Sequence, residues 1–162
     1  MKKANVLLLI AAFLLPAMNL MAQEKKETTD EKMVIVKGNE SWKNIQIKIY
    51  PKDVIIFKAT GKVCFHSGIS QSCVDPDGLD VNEYKTGWVD DYQQCFDPIK
   101  EANHAGLIGN VGDEVFFIGK GNKFTGKEGF LYLQVNDCTL DEGKYSNTGQ
   151  FEVYISVERH KK

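Results

Sequence analysis

The chain has 162 residues, of which 43% are hydrophobic and 26% are charged, a composition that suits one globular domain with a single apolar core. Its 20 lysine and arginine residues against 22 aspartate and glutamate residues give a formal net charge of −2, so it lacks the basic surplus with which proteins bind nucleic acids. Its four cysteines form no CxxC pair, which argues against a thioredoxin-like redox centre and against a zinc knuckle.

The N-terminal segment 1–22, MKKANVLLLIAAFLLPAMNLMA, has the pattern of a secretory signal peptide. Two lysines precede an apolar stretch from about Val6 to Leu15, Pro16 interrupts it, and Ala22 offers a small residue for cleavage. The stretch is too short for a stable membrane span, so we expect an exported protein, periplasmic or secreted. The following residues 23–32, QEKKETTDEK, contain no apolar side chain and predict a flexible leader.

From Met33 onward the sequence alternates apolar and polar residues in short runs, which predicts β-strands. Turn signals separate the runs; Pro51 and Lys52 suit the first positions of a tight turn, and Asp53 enters the next strand. About seven such strands without a long amphipathic helix favour an all-β domain over residues 33–158, followed by a basic tail at 159–162. We predict a small antiparallel β-sandwich, although the periodicity is also compatible with a closed barrel. The predicted strands are MVIVK, IQIKIY, DVIIFKAT, KVCF, EVFFIG, LYLQV and FEVYISVE.

The 67–104 segment shows no sustained alternation, and it is rich in Asp, Glu, Gly and Pro. A stretch of this length inside a compact domain is typical of a functional loop, so we predict one long loop excursion here. Cys73 and Cys95 lie within it and would tether it.

Residues 136–149, NDCTLDEGKYSNTG, are dense in oxygen-bearing side chains. Calcium takes six to eight oxygen ligands from carboxylates, amide carbonyls and the backbone, so this segment is a candidate for part of a calcium site. It lacks the EF-hand spacing. Asn, Asp, Gly and Ser also occur in hairpin turns for conformational reasons alone, so composition does not decide between the two interpretations.

Three segments, taken in order, resemble the PA-IL type of calcium-dependent, galactose-binding bacterial lectins: YPKDVIIFKATGKVCF, GLIGNVGDEVFFIGKGNKF and GFLYLQVNDCTLDEGKYSNTGQFEVYI. The resemblance covers about residues 33–66 and 105–157. It rests on a proline-containing turn before a strand that ends in a small residue and glycine, and on LIG and LYL-VND segments before a final strand. It implies a jelly-roll-like β-sandwich that binds a glycan or glycoconjugate through Ca²⁺.

The resemblance also implies which residues bind the cation and the sugar. Asp137 of VND would supply its carboxylate and Asn147 its side-chain carbonyl, and both would also hold the sugar with Asp80 of DPDGLD. Ser146 stands where the family has Asp or Asn, and the segment from Asp137 to Asn147 is longer than in the galactose-binding members. No His and Gln pair follows Asp80 as in those members, so galactose specificity is not implied. The implied calcium ligands are Asp137, Asn147, Ser146 and the backbone carbonyls of about Gly143 and Phe65.

An even number of cysteines in an exported protein favours two disulfides. If Phe65 and Asp137 converge on one cation, their neighbours Cys64 and Cys138 lie at the same end of the sandwich, which permits a Cys64–Cys138 bridge with Cys73–Cys95. The alternative is Cys64–Cys73 with Cys95–Cys138, and both pairings stay open.

The sequence has no GxSxG, HExxH, P-loop or dinucleotide-binding pattern, so we do not expect an enzyme. No metal-ligand spacing pattern includes His66 or His104, and zinc binding is not expected from them. The first hypothesis is therefore a non-catalytic, calcium-dependent carbohydrate-binding domain. The second is a metal-free structural or protein-interaction domain on the same fold, which would contact its partners through the 67–104 segment.

Overall fold

The structure is a computed structural model that describes residues 27–67, 70–80, 97–137 and 147–159. Nine β-strands and no helix occur in these ranges. No helix among the described residues is long and apolar enough to cross a membrane. The strands are β1 (Glu27–Lys37), β2 (Lys43–Ile49), β3 (Val54–Ser67), β4 (Ser70–Val74), β5 (Leu107–Val111), β6 (Glu114–Phe117), β7 (Lys123–Thr125), β8 (Gly129–Val135) and β9 (Thr148–Arg159).

The described strands form two antiparallel sheets. The first sheet has the order β1-β9-β3-β4, with β7 also paired to β3, and the second has the order β2-β8-β5-β6. Buried side chains from both sheets meet in one apolar cluster, as expected when two sheets pack face to face. The predicted all-β antiparallel sandwich is confirmed, and the separation into two sheets excludes the closed barrel.

The alternation of apolar and polar residues in the sequence predicts which side chains of a strand form the core. In β9, Phe151, Val153 and Ile155 are fully buried, whereas Glu152 and Tyr154 between them point away from the core. Successive side chains of a strand point to opposite faces, so one face of β9 covers the second sheet and the other faces solvent.

The first strand begins at Glu27, so residues 27–32 belong to β1 and are not part of a flexible leader. They pair with β9, where Glu27 lies opposite Arg159 and Lys32 opposite Ile155. Backbone pairing needs no apolar side chains, which is why the charged sequence gave no strand signal here. Arg159 likewise ends β9 and is not part of a tail. Residues 1–26 lie outside the described residues.

The 67–104 segment contains more regular structure than predicted. Its first part forms β4, which pairs with β3 from Ser67↔Ser70 to Val63↔Val74. Cys64 and Cys73 are directly opposite in that register, with Cα atoms 3.9 Å apart, and they form a disulfide. Of the two pairings that the sequence left open, the one with Cys64–Cys138 is therefore wrong, and the Cys64–Cys73 bridge of the other is confirmed. Cys95 and Cys138 lie outside the described residues.

Candidate functional site

One end of the sandwich brings together the polar residues that flank the 138–146 segment. Asp137 follows the end of β8 and is 6% exposed, and Asn147 precedes β9 and is 3% exposed. The Asn147 Nδ2 group donates a hydrogen bond to Asp137 Oδ2 and lies 3.4 Å from the Gly38 carbonyl oxygen. These two residues, ten positions apart in sequence, thus meet in a buried contact.

Phe65 lies at the same end because of the register between β3 and β9. The last pair of that register is Cys64↔Thr148, so Phe65 follows Cys64 just as Asn147 precedes Thr148. Its side chain is buried, and its ring makes an edge contact with the imidazole of His104 at a centroid distance of 4.7 Å.

His104 is the residue of this site that sequence reasoning missed. It is 4% exposed, and its Nδ1 atom lies 3.0 Å from Asp97 Oδ2 and 3.1 Å from Asp97 Oδ1. Its Nε2 atom lies 3.9 Å from Asp137 Oδ1. Asp97 is close to His104 in sequence, but the two do not match a metal-ligand spacing pattern. Asp137 is far from His104 in sequence and comes close to it only in the folded structure. The spacing of these residues along the chain therefore did not indicate a site.

The backbone of His104 is held by a short bridge to Leu79. The Leu79 N–H donates to the His104 carbonyl at 2.8 Å, and the His104 N–H donates to the Leu79 carbonyl at 3.0 Å. Asp80, the predicted sugar-binding residue, follows Leu79 and is exposed. Asp80 therefore lies on the chain beside His104, at the edge of the same site.

The Asp75–Gly78 turn that precedes this bridge is fixed by Lys120. The Lys120 Nζ atom lies 2.8 Å from Asp75 Oδ2 and 2.9 Å from Asp77 Oδ2, and its N–H donates to Asp77 Oδ1 at 2.8 Å. The hydrogen bonds from Lys120 lower the pKa of Asp77, and those to Asp75 and Asp77 raise the pKa of Lys120. Gly78 has a φ of 75°, and a Cβ there would lie 2.6 Å from the His104 carbonyl oxygen. Glycine thus permits the close approach of the turn to His104.

Asn136 joins the Asp97 segment to the end of β8. Its Oδ1 atom accepts from the Ile99 N–H at 3.0 Å, and its Nδ2 group donates to the carbonyls of Ile99 at 3.0 Å and Asn103 at 3.1 Å. The Asn136 side chain is fully buried, so these bonds hold Asp97 and His104 next to Asp137.

Three side chains of this site each offer one ligand atom, and the three atoms lie within 4.8 Å of one another. They belong to Asp97, His104 and Asp137. Such a group of two carboxylates and an imidazole could hold a metal ion. The predicted residues Asp137, Asn147 and Phe65 are brought to one end of the sandwich, with Asp80 at its edge. Gly143 and Ser146 lie outside the described residues.

No protein-family model matches this chain, and no curated protein matches it. Among solved structures, it is similar to one described as "EclA N-terminal domain; PllA-like lectin", with a TM-score of 0.56 and 17% sequence identity. The match covers 78% of this chain and 95% of that chain. At this identity the similarity concerns the fold, and the chain has the all-β sandwich fold of a lectin domain.

Proposed function

We propose that the protein is an exported, non-catalytic carbohydrate-binding domain that holds its sugar through a calcium ion at Asp137 and Asn147. The observation that carries the proposal is the buried contact between these two side chains at one end of a lectin-like sandwich. The sequence resemblance independently selects the same two residues as cation ligands.

The described residues offer oxygen donors of the type that calcium binds. The Asp137 carboxylate, the Asn147 amide oxygen and the Phe65 backbone carbonyl are all oxygen ligands, which calcium prefers. We propose Gly143 and Ser146 as further ligands and Asp80 as an additional sugar contact. When bound, calcium would supply direct coordination of sugar hydroxyls.

The test compares wild-type protein with Asp137→Ala in thermal unfolding and on a glycan array, each with millimolar calcium and with chelator. Extracellular calcium sites have dissociation constants of roughly 0.1–1 mM, so calcium must be in excess. A ligand at about 100 times its dissociation constant stabilises by about 2.7 kcal/mol, which raises the unfolding midpoint by several degrees. We expect Asp137→Ala to lose both this shift and glycan binding.

Asp113→Ala is the matched control, because this aspartate is exposed in the turn between β5 and β6 and pairs only at the surface with Lys127. It should keep the calcium shift and the glycan binding. Calcium-dependent glycan binding that persisted in Asp137→Ala would refute the proposed role of the cation.

One observation favours the second candidate, a metal-free interaction domain. Asn147 directs its Nδ2 group to Asp137 and towards the Gly38 carbonyl, and such hydrogen bonds can hold these groups together without a cation. This candidate predicts a midpoint that calcium leaves unchanged and a glycan array without signal for wild-type protein.

A further inference from the structure

We propose that His104 and Asp137 form a binding site for a divalent metal of the zinc class, with Asp97 as the positioning residue for the imidazole. The site shares the Asp137 carboxylate with the proposed calcium site, but it does not depend on sugar binding.

Asp97 determines which nitrogen of His104 can bind a metal. Both Asp97 carboxylate oxygens lie within 3.1 Å of Nδ1, and an ionised carboxylate only accepts hydrogen bonds. In a neutral ring, which is the form that binds a metal, Nδ1 therefore keeps the proton and Nε2 has the lone pair. A histidine that binds a metal through one nitrogen and donates the other N–H to a carboxylate is the usual arrangement at zinc sites.

The Nε2 atom faces the carboxylate of Asp137 at a distance that one ion can span. The Nε2 to Oδ1 separation of 3.9 Å exceeds a hydrogen bond. Zinc binds imidazole nitrogen and carboxylate oxygen at roughly 2.0–2.2 Å in tetrahedral geometry, which places two ligand atoms roughly 3.3–3.6 Å apart, so the two side chains would approach each other by about 0.5 Å on binding. The Oδ2 atom of the same carboxylate accepts a hydrogen bond from Asn147, and the Oδ1 atom lies on the side of His104.

Burial makes the site rigid and selects the class of metal. The side chains of His104 and Asp137 are 5% and 9% exposed, and the Phe65 ring packs against the imidazole. Buried ligand side chains that are already held in place lose little conformational freedom when a metal binds, and this favours binding. Imidazole suits zinc, copper and nickel, whereas calcium takes oxygen ligands, so the mixed pair favours the zinc class.

The experiment titrates the metal-stripped full chain with zinc chloride, using calorimetry and the thermal unfolding midpoint. We expect zinc to bind wild-type protein and raise its midpoint by several degrees, and His104→Gln to lose both effects. His66→Gln is the matched control, because it also removes one imidazole, and it should respond to zinc as wild type does. Absence of zinc binding by wild type, or an unchanged zinc response in His104→Gln, would overturn the proposal.

Asp97→Asn provides a second readout that keeps the imidazole in place. Loss of a supporting carboxylate commonly weakens metal affinity by about 10–100-fold, and we expect a shift of that size. Cobalt(II) absorption in the visible range reports the ligands directly, and its bands should appear in wild type and vanish in His104→Gln. Zinc affinity that was unaltered by Asp97→Asn would reject the positioning role.

The two proposals fail separately. Zinc binding together with a silent glycan array rejects the carbohydrate-binding function and leaves the metal site. Calcium-dependent glycan binding without zinc binding rejects only the metal site.

Discussion

Asn136 shows how one side chain can assemble a site from two distant chain segments. Its amide satisfies three main-chain groups of residues 99 and 103, all in a fully buried position. A buried polar group left without its partner costs about 1–3 kcal/mol, so the segment that carries Asp97 depends strongly on this amide.

Replacing Asn136 with alanine should lower the free energy of unfolding by about 1–3 kcal/mol, because it removes the acceptor of the buried Ile99 N–H and one of the two hydrogen bonds at each of two carbonyls. Urea unfolding would measure the loss. Asn122→Ala is a suitable comparison, since its exposed amide donates to the Phe117 carbonyl at 2.8 Å and accepts from the Lys123 N–H at 2.7 Å. Water can replace both bonds at the surface, so this substitution should cost less than about 1 kcal/mol. Equal losses in both variants would contradict the structural role of Asn136.

At the scale of single residues, the sequence predicted part of the site. The resemblance selected Asp137, Asn147 and Phe65, and the sheet register brings all three to one end. His104 could not be found in this way, because its nearest carboxylates belong to Asp97, outside any strand, and to Asp137, just after β8. Only the folded register places these groups together.

At the scale of elements, the turn between β2 and β3 contains a conformational strain that its sequence explains. The Asp53 N–H donates to the Tyr50 carbonyl at 3.0 Å, and Lys52 has a φ of 78°. Proline followed by a residue with positive φ is the pattern of a type II turn, in which glycine is preferred at the second of the two central positions, here that of Lys52. The sequence predicted the turn but not its type, since lysine gives no sign of a left-handed conformation.

Lys52→Gly should therefore stabilise the protein by about 0.5–1 kcal/mol. Glycine removes the strain of the left-handed conformation, which stabilises the folded state by about 1–2 kcal/mol. Its greater conformational freedom also stabilises the unfolded chain, by about 0.5–1 kcal/mol, and this offsets part of the effect. Chemical denaturation would measure the gain. Lys52→Ala removes the same side chain and keeps the strain, so an equal gain there would point to the lysine charge and not to the backbone.

Strands with alternating apolar residues were predictable, whereas β5, β7, β4 and the first half of β1 were not. The sequence of β5, LIGNV, is buried at four of its five residues and so shows no alternation, and β7 has only three residues. The sequences of β4 and of the first half of β1, SQSCV and ETTDEK, lack an apolar face. They become strands because long neighbours, β3 and β9, extend beyond the core and offer free backbone groups for pairing. Such strands depend on the sheet that they join and leave little trace in local sequence.

At the scale of the whole molecule, the described contacts favour one pairing for the remaining cysteines. Cys64 and Cys73 form a disulfide. The segment that follows Cys95 and the segment that precedes Cys138 lie next to each other. Asp97, just after Cys95, contacts His104, and Asn136, just before Asp137 and Cys138, bonds Ile99.

We therefore expect a Cys95–Cys138 disulfide, which would join the 67–104 segment to the end of β8. Peptide mapping of the non-reduced protein should recover these two cysteines in one linked fragment, with Cys64 and Cys73 in another. Free thiols at Cys95 and Cys138 would show that the second bridge does not form. The sequence left two pairings open because a cysteine pattern does not fix connectivity, whereas the register of β3 and β4 places Cys64 opposite Cys73.

The contact between Asp137 and Asn147 has a consequence for how this protein can diversify. It joins the two ends of the 138–146 segment, so the frame on either side is held independently of the residues in between. Lengthening a closed connection costs little, about 0.6 kcal/mol for each doubling of its length. Insertions between Cys138 and Ser146 should thus be tolerated without a change in strand register, and this position is a natural acceptor for grafted sequences that alter recognition while the sandwich stays the same.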